Sequence, residues 1–357
     1  MNGAALPLIA FMLIASFTGC TAERTYTTRD IPQLIQTLRG DDEIKRAEAS
    51  AILGNLGPTA VPALIEAINS GDANVREWGI YALAKMGPGA KEAIPLLLEA
   101  LTNETMAVRY EAARAIGAIG PEAAEATPAL IKAMDDDDWR MQYIITQALG
   151  SVHANSPDAI DALVKGLNVD RRKVRINAAA ALAQIGPNAK DALPALFRVL
   201  EEEKDDFVRM RAIAAIRTIG VESDAIPGLV AALEDQDPMV RQEASGLLKQ
   251  FGPDSMVLLM GALESEQAET RAAAARTLGQ MGADAAMAVP ALIKLLDDSE
   301  MTVVTAATTA LGDIGPAAKD ALPALHELPG KNPQWHFDWM IKEAIEKIEG
   351  TFKGDDK

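Results

Sequence analysis

IPLLLEALTNETMAVRYEAARAIGAIGPEAAEA, residues 94–126, is the stretch on which the fold is read. Its proline opens an apolar segment. A polar turn follows, then Val108-Arg109, an alanine-rich segment, and a closing Ile119-Gly120-Pro121. The phrase returns at 289–321 as VPALIKLLDDSEMTVVTAATTALGDIGPAAKDA. Its opening proline recurs at Pro32, Pro62, Pro95, Pro128, Pro194, Pro227, Pro290 and Pro323, mostly 33 residues or twice that apart. Asp161 and Val257 stand where the missing prolines would fall. A fixed period of this size signals an array of stacked units, not one globular core.

Each half of the unit reads as a helix. Leu97, Leu98 and Leu101 form one apolar stripe in the first half, and Val108, Ala112, Ala115, Ile116 and Ile119 keep helical spacing in the second. Pro95 suits the first helical turn, where its absent N–H would lack a partner anyway. Gly120 is expected to end the second helix in the left-handed conformation, with Pro121 blocking extension. The alanines let neighbouring helices approach closely. One pair of short helices cannot bury its stripe alone, so the pairs must fold as a stack. Nine full repeats and a shorter closing unit are expected. The fold class is all-α, an α-solenoid of stacked antiparallel helix pairs.

The phrases VPALIEAI (61–68), LPALFRVL (193–200) and KVRINAAAALAQIGP (173–187) resemble the HEAT-repeat family, most closely the HEAT-like repeats of phycobilisome lyases. The resemblance spans roughly Asp30 to Gly350. It implies a right-handed superhelix whose second helices line the concave side. It is specific for fold and weak for function, because one fold hosts many activities.

Of the 357 residues, 34 are Lys or Arg and 51 Asp or Glu, a net charge of −17. Such a chain repels phosphate backbones and shows no long basic run, so nucleic acid is not the expected partner. Residues 1–19 read as a signal peptide, apolar and uncharged from Ala4 to Phe17. Phe17-Thr18-Gly19-Cys20 resembles a bacterial lipobox, and Cys20 is the only cysteine. That resemblance implies acylation of Cys20. It also implies a lipid-anchored envelope protein, at the outer membrane where a cell has two, since Thr21 rather than Asp follows the cysteine. Residues 20–29 would be a short lipidated tether, 30–350 the solenoid and 351–357 a disordered tail. Asp30 is an expected N-cap for the first helix, and Trp335, His336, Phe337 and Trp339 an expected cap on the last repeat.

Chemistry is scarce. His153, His326 and His336 have no metal-ligand spacing. His326-Glu327 resembles the iron-holding His-Glu pairs of HEAT-repeat hydroxylases, but that family needs several pairs and this chain has one. The acidic run 135–138 lacks the glycine and ligand spacing of a calcium loop and reads as a turn capping the helix near Trp139. No phosphate loop or nucleophile elbow is present, and no cofactor is expected. Arg76, Arg109, Arg175, Arg209, Arg241 and Arg271 recur after the Val position and are expected to pair with acidic inter-helix turns. These pairs should be partly exposed, at about 0–1 kcal/mol each. Gln142 and Val304 interrupt the series, so repeats four and nine should lack the stitch.

Numbered from the opening proline, core positions of the second helix fall at 13, 17, 20, 21 and 24. Trp139 stands at position 11, Tyr110 and Tyr143 at 15, Trp78 at 16, Tyr81 and Arg114 at 19. Positions 11, 15 and 19 are successive i, i+4 steps and form a ridge off the core stripe. Large aromatics and Arg dominate binding hot spots. These six residues are therefore the expected contact set for a protein or peptide partner on a non-enzymatic scaffold. Two other classes remain: a bilin lyase or isomerase-like enzyme, which the resemblance implies, and a purely structural envelope protein.

Overall fold

The computed structural model describes residues 25–103, 105–331 and 337–352. The signal peptide, Cys20, Trp335, His336 and the tail from 353 lie outside the described residues. Among the described residues every regular element is helical. The chain divides into two compact units, Met1–Asp191 and Ala192–Lys357.

In the first unit, five first helices, Ile31–Leu38, Val61–Asn69, Ile94–Asn103, Thr127–Ala133 and Pro157–Gly166, alternate with five second helices. These are Glu43–Leu56, Ala73–Met86, Met106–Ile119, Trp139–Ser151 and Arg172–Ile185. Each second helix packs against its own first helix and against the second helices before and after it in this unit. The second unit repeats the plan. Its first helices start at Leu193, Ile226, Pro253, Val289 and Leu322, and its second helices at Asp206, Pro238, Ala268, Met301 and Asp338. The fold is thus an all-α solenoid of helix pairs.

The core follows the expected stripes. Leu97, Ala112, Ala115, Ile116 and Ile119 are fully buried, while Leu98 is only half-buried. Each buried Leu or Ile contributes about 1.5–3 kcal/mol. The second helices approach closely because Gly and Ala meet at their contacts. A Cβ on Gly150 would stand 2.8 Å from the Cα of Ala181, and one on Gly117 would stand 3.1 Å from the Cα of Ala148. Side chains of Asp42, Asp72, Asp138, Asp205 and Asp237 accept backbone N–H groups of the following second helix, about 1 kcal/mol each. The acidic run before Trp139 therefore caps a helix, as its position suggested.

Several local expectations need correction. Where a proline follows, the glycine ending a second helix has positive φ but not left-handed ψ: Gly120 is at φ 81, ψ −146, and Gly315 at φ 72, ψ −142. The following proline excludes helical ψ from the residue before it, and only glycine takes this mirror-extended conformation easily. The chain then turns a 3₁₀ corner, such as Gly87–Ala93 or Gly120–Ala126, whose inner alanines Ala90, Ala93, Ala123 and Ala126 are fully buried. Asp30 does not cap the first helix. Its carboxylate accepts the N–H of Thr27 at 2.9 Å, closing a 3₁₀ turn over Thr28–Asp30. The first helix of the last repeat runs on through Pro329 to Lys331. In the closing helix Phe337 is buried with Ile341, Ala344 and Ile348, but Trp339 is 65% exposed. Phe337 therefore seals the repeat and Trp339 does not. Glu43–Asn69 is long and apolar enough to cross a membrane by length and composition. It is broken by the corner at Gly57, between two helices of the stack.

Candidate functional site

Position 14 of the repeat, displaced to 15 in repeat six by a one-residue insertion in 201–206, carries the recurring arginine, and its geometry shows what the stack uses. Arg209 places Nε and Nη2 on the Asp235 carboxylate of the next repeat at 2.7 and 3.0 Å. Arg271 does the same to Asp298 at 2.8 and 2.9 Å. Arg109 reaches Asp136 at 2.9 Å. The same arginines reach back into their own loop: Arg209 donates to the carbonyl of Glu203 at 3.1 Å and Arg271 to that of Ser265 at 2.8 Å. Arg46, in repeat one, belongs to the series and donates to the Gly40 carbonyl at 2.6 Å.

Two expectations about the series change. Gln142 keeps the backward bond, donating to the Asp136 carbonyl at 3.1 Å, so repeat four loses only the charged arm. Val304 is fully buried and keeps neither. The Arg209–Asp235 and Arg271–Asp298 pairs are also more enclosed than expected, with side chains 10%/3% and 14%/10% exposed. Breaking a pair this buried costs about 3–5 kcal/mol, well above a surface ion pair. Burial acts against the charge on Asp298, but hydrogen bonds from Arg271 and the Glu300 N–H outweigh it and hold its carboxyl below the ordinary range.

The ridge residues of repeats two to four have different surroundings. Tyr81 is half-buried, and the ring of Trp78 is 5.8 Å from it, tilted by 58°. Trp78 itself is only 7% exposed, so it backs Tyr81 and does not offer its own face. Position 16 lies about 100° around the helix from position 15, which turns it toward the stack. Arg114, from the next repeat, lies over the Tyr81 ring at 4.7 Å and donates from Nε to Glu111 at 2.7 Å. Tyr110 and Tyr143 are half-buried neighbours on consecutive second helices. Burial, then the charge of Glu111, then Tyr143 push the Tyr110 hydroxyl pKa up. Trp139 is half-buried at the start of its helix, with the Lys173 ammonium 5.9 Å from its ring centroid.

Two carboxylates of this surface were not singled out from the sequence. Glu77 stands at position 15 in repeat two, in register with Tyr110 and Tyr143, and Glu111 follows Tyr110. Burial, then the charge of Glu111, raise the Glu77 pKa. Register was the signal that could have found Glu77. The surface thus combines aromatic faces, a stacked guanidinium and carboxylates, residue types common in binding hot spots. His153 and His326 are both exposed. Among the described residues no three His, Cys, Asp or Glu side chains gather to hold a metal ion.

The sequence matches the family model described as HEAT repeats over residues 31–107, 94–183, 127–217, 166–249, 226–289 and 255–345. The chain belongs to the HEAT-repeat family. This HEAT-repeat chain is also similar in fold to importin beta, at 14% identity and TM-score 0.58, covering 91% of this chain and 52% of that one. It is similar to a mutant of Kap121p, at 12% identity and TM-score 0.61, covering 91% of this chain and 45% of that one. It therefore spans about half the length of either. An engineered protein matches at 25% identity and TM-score 0.49, over 90% of this chain and 99% of that one. No curated protein matches the chain. The family match and the likenesses to importin beta and Kap121p establish the HEAT-repeat fold without singling out the phycobilisome-lyase type.

Proposed function

We propose that this HEAT-repeat chain is a non-enzymatic scaffold that binds a protein or peptide through the second-helix ridge of repeats two to four. Tyr81, Tyr110, Arg114, Trp139 and Tyr143 make the contacts, and Trp78 supports Tyr81 from behind. We further propose that the chain is anchored through lipidated Cys20 in a bacterial envelope, at the outer membrane where there are two.

The observation that carries the reading is the Arg114–Tyr81 stack at 4.7 Å beside the half-buried Tyr110 and Tyr143. Aromatic and Arg side chains bury much area at little entropic cost, and a stacked guanidinium is already ordered before a partner arrives. The fold supports the reading, since side-by-side second helices give a continuous surface.

The test is the double variant Tyr110→Ala with Tyr143→Ala, compared with wild type in cross-linking capture from solubilised envelopes and in thermal melts. A specific partner should be lost while the melting temperature moves little. A collapse in stability would make the rings core residues and end the ridge reading. The anchor is tested separately by Cys20→Ser, which should leave the protein unprocessed or release it from the membrane fraction. An intact mature peptide containing unmodified Cys20 would refute lipidation.

A further inference from the structure

The position of Arg114 has a counterpart in the second unit with opposite surroundings. Arg276 also stands at position 19, in the second helix Ala268–Gln280. Arg114 has a carboxylate three residues earlier, Glu111, and an aromatic at position 19 of the preceding repeat, Tyr81. Around Arg276 both are replaced by small residues: Ala273 stands three residues earlier and Gly246 at position 19 of repeat seven. A Cβ on Gly246 would meet nothing within 4 Å. A cavity of about 380 Å³ lies between the two second helices, lined by Arg241, Gln242, Ser245, Ala273, Arg276 and Gln280.

The cavity holds two guanidinium groups and no acid. Arg241 is held by Nη1, which donates to the carbonyls of Asp235 at 2.6 Å and Gln236 at 2.9 Å. Arg276 has no hydrogen-bond or ion-pair partner among the described residues. The nearby Glu243 is engaged by Arg217 at 3.3 Å. In a chain with 51 acidic residues and a net charge of −17, an acid-free seat beside two arginines stands out against the composition.

We propose that this cavity is a carboxylate-binding site for an acidic segment of a partner protein. Arg276 and Arg241 hold an Asp or Glu side chain of the segment, and Gln242 and Gln280 hydrogen-bond its backbone. A guanidinium fork matches a carboxylate in bidentate geometry, and a side-chain amide offers both a donor and an acceptor to a peptide group. The volume lies within the range of small binding clefts. Burial, then the charge of Arg241, push the pKa of Arg276 below the ordinary arginine value, so a bound anion relieves the repulsion. A carboxylate is favoured over a phosphate dianion because the surrounding protein charge is strongly negative and penalises each added negative charge. The site is independent of the aromatic ridge of repeats two to four.

The experiment is titration of the full chain with a fluorescent oligoglutamate peptide at low salt, with an oligoglutamine peptide as control. Arg276→Gln removes the guanidinium, and Ala273→Glu recreates the internal partner that Arg114 has. Saturable oligoglutamate binding that weakens about tenfold or more in both variants, with melting temperatures retained, is the expected result. The Tyr110→Ala, Tyr143→Ala variant should bind oligoglutamate like wild type, which separates this site from the ridge. Absence of saturable binding up to about 5 mM peptide, or equal binding by either variant, would overturn the proposal. So would displacement of the peptide by inorganic phosphate at lower concentration than by free glutamate, because the seat would then select phosphate.

Discussion

Gly279→Ala and Gly246→Ala are the same chemical change in the second helices of adjacent repeats, and the structure assigns them opposite signs. Alanine favours a helix over glycine by about 1 kcal/mol, and that gain applies to both. At Gly246 the new Cβ meets nothing within 4 Å, so the gain stands. At Gly279 the Cβ would lie 2.6 Å from the Cα and 2.9 Å from the Cβ of Ala310, on the next second helix. Carbon atoms rest at about 3.5–4.0 Å, so the helices must part by about 1 Å. The obstacle is backbone and cannot rotate away. Overpacking of this kind costs about 1–3 kcal/mol. The net expectation is a stabilisation of up to about 1 kcal/mol for Gly246→Ala and a loss of about 1–2 kcal/mol for Gly279→Ala. Neighbouring glycines grade the effect. Gly312 would meet the Ala344 Cα at 2.9 Å and should cost less than Gly279, while Gly117 would meet the Ala148 Cα only at 3.1 Å and should cost least of the three. Thermal melts rank the variants. Hydrogen exchange then locates the change, which in an array should fall on repeats eight and nine. If Gly279→Ala stabilised the protein, or if both variants shifted it equally, close helix approach would not be what fixes glycine at this position.

Ala179→Arg should destabilise by several kcal/mol, because Ala179 is fully buried and an arginine there has no partner; hydrogen exchange should loosen around repeat five, and uniform loosening of the whole chain would argue against nearest-neighbour stabilisation. His153 replaces the glycine that ends a second helix and sits at φ 52, so His153→Gly should raise stability by about 1 kcal/mol in thermal melts, and no gain would mean the backbone there is unstrained. Asp298 has a depressed pKa in the folded state, so its contribution is present above the unfolded value near 3.8 and is lost as pH falls through the lower folded value. The gap in melting temperature between wild type and Asp298→Asn should therefore be constant from neutral pH down to about pH 5 and close below about pH 4; a gap unchanged at pH 3 would refute the pairing with Arg271.

The architecture was legible because its signals repeat. Eight prolines, mostly 33 residues or twice that apart, with apolar stripes of helical period between them, admit few alternatives to stacked pairs. The arginine series was legible for the same reason. The errors fall where one residue departs from the pattern or where rotation around a helix decides. Gln142 looked like a gap because it lacks charge, yet a side-chain amide can donate to the same carbonyl as the guanidinium. Trp78 belongs to the expected contact set by residue type, but position 16 is one residue of rotation away from the ridge and puts it in the core. The 3₁₀ corners were invisible as helix because Gly-Pro reads as a breaker, although their buried alanines held the clue. Glu77 shows up only when repeats are compared column by column, not along the chain.

Comparison by column also separates the arginines that build the protein from those that could serve a partner. At position 14 the guanidinium is consumed by loop carbonyls and, in several repeats, by the next repeat's carboxylate, so its chemistry is spent on the stack. Position 19 has no such obligation. It holds Tyr81, Arg114, Gln147, Ala180, Gly246, Arg276 and Thr309 in different repeats, a range no packing requirement would tolerate. Where Arg114 occupies it, a carboxylate and a ring already satisfy the charge, and the result is an ordered aromatic surface. Where Arg276 occupies it, Ala273 and Gly246 stand at the two partner positions and Arg276 lines an open cationic cavity. Each unit thus carries its own kind of surface on one scaffold register. The variants at Tyr110 and Tyr143 should weaken binding at the ridge alone, and those at Arg276 and Ala273 binding at the cavity alone.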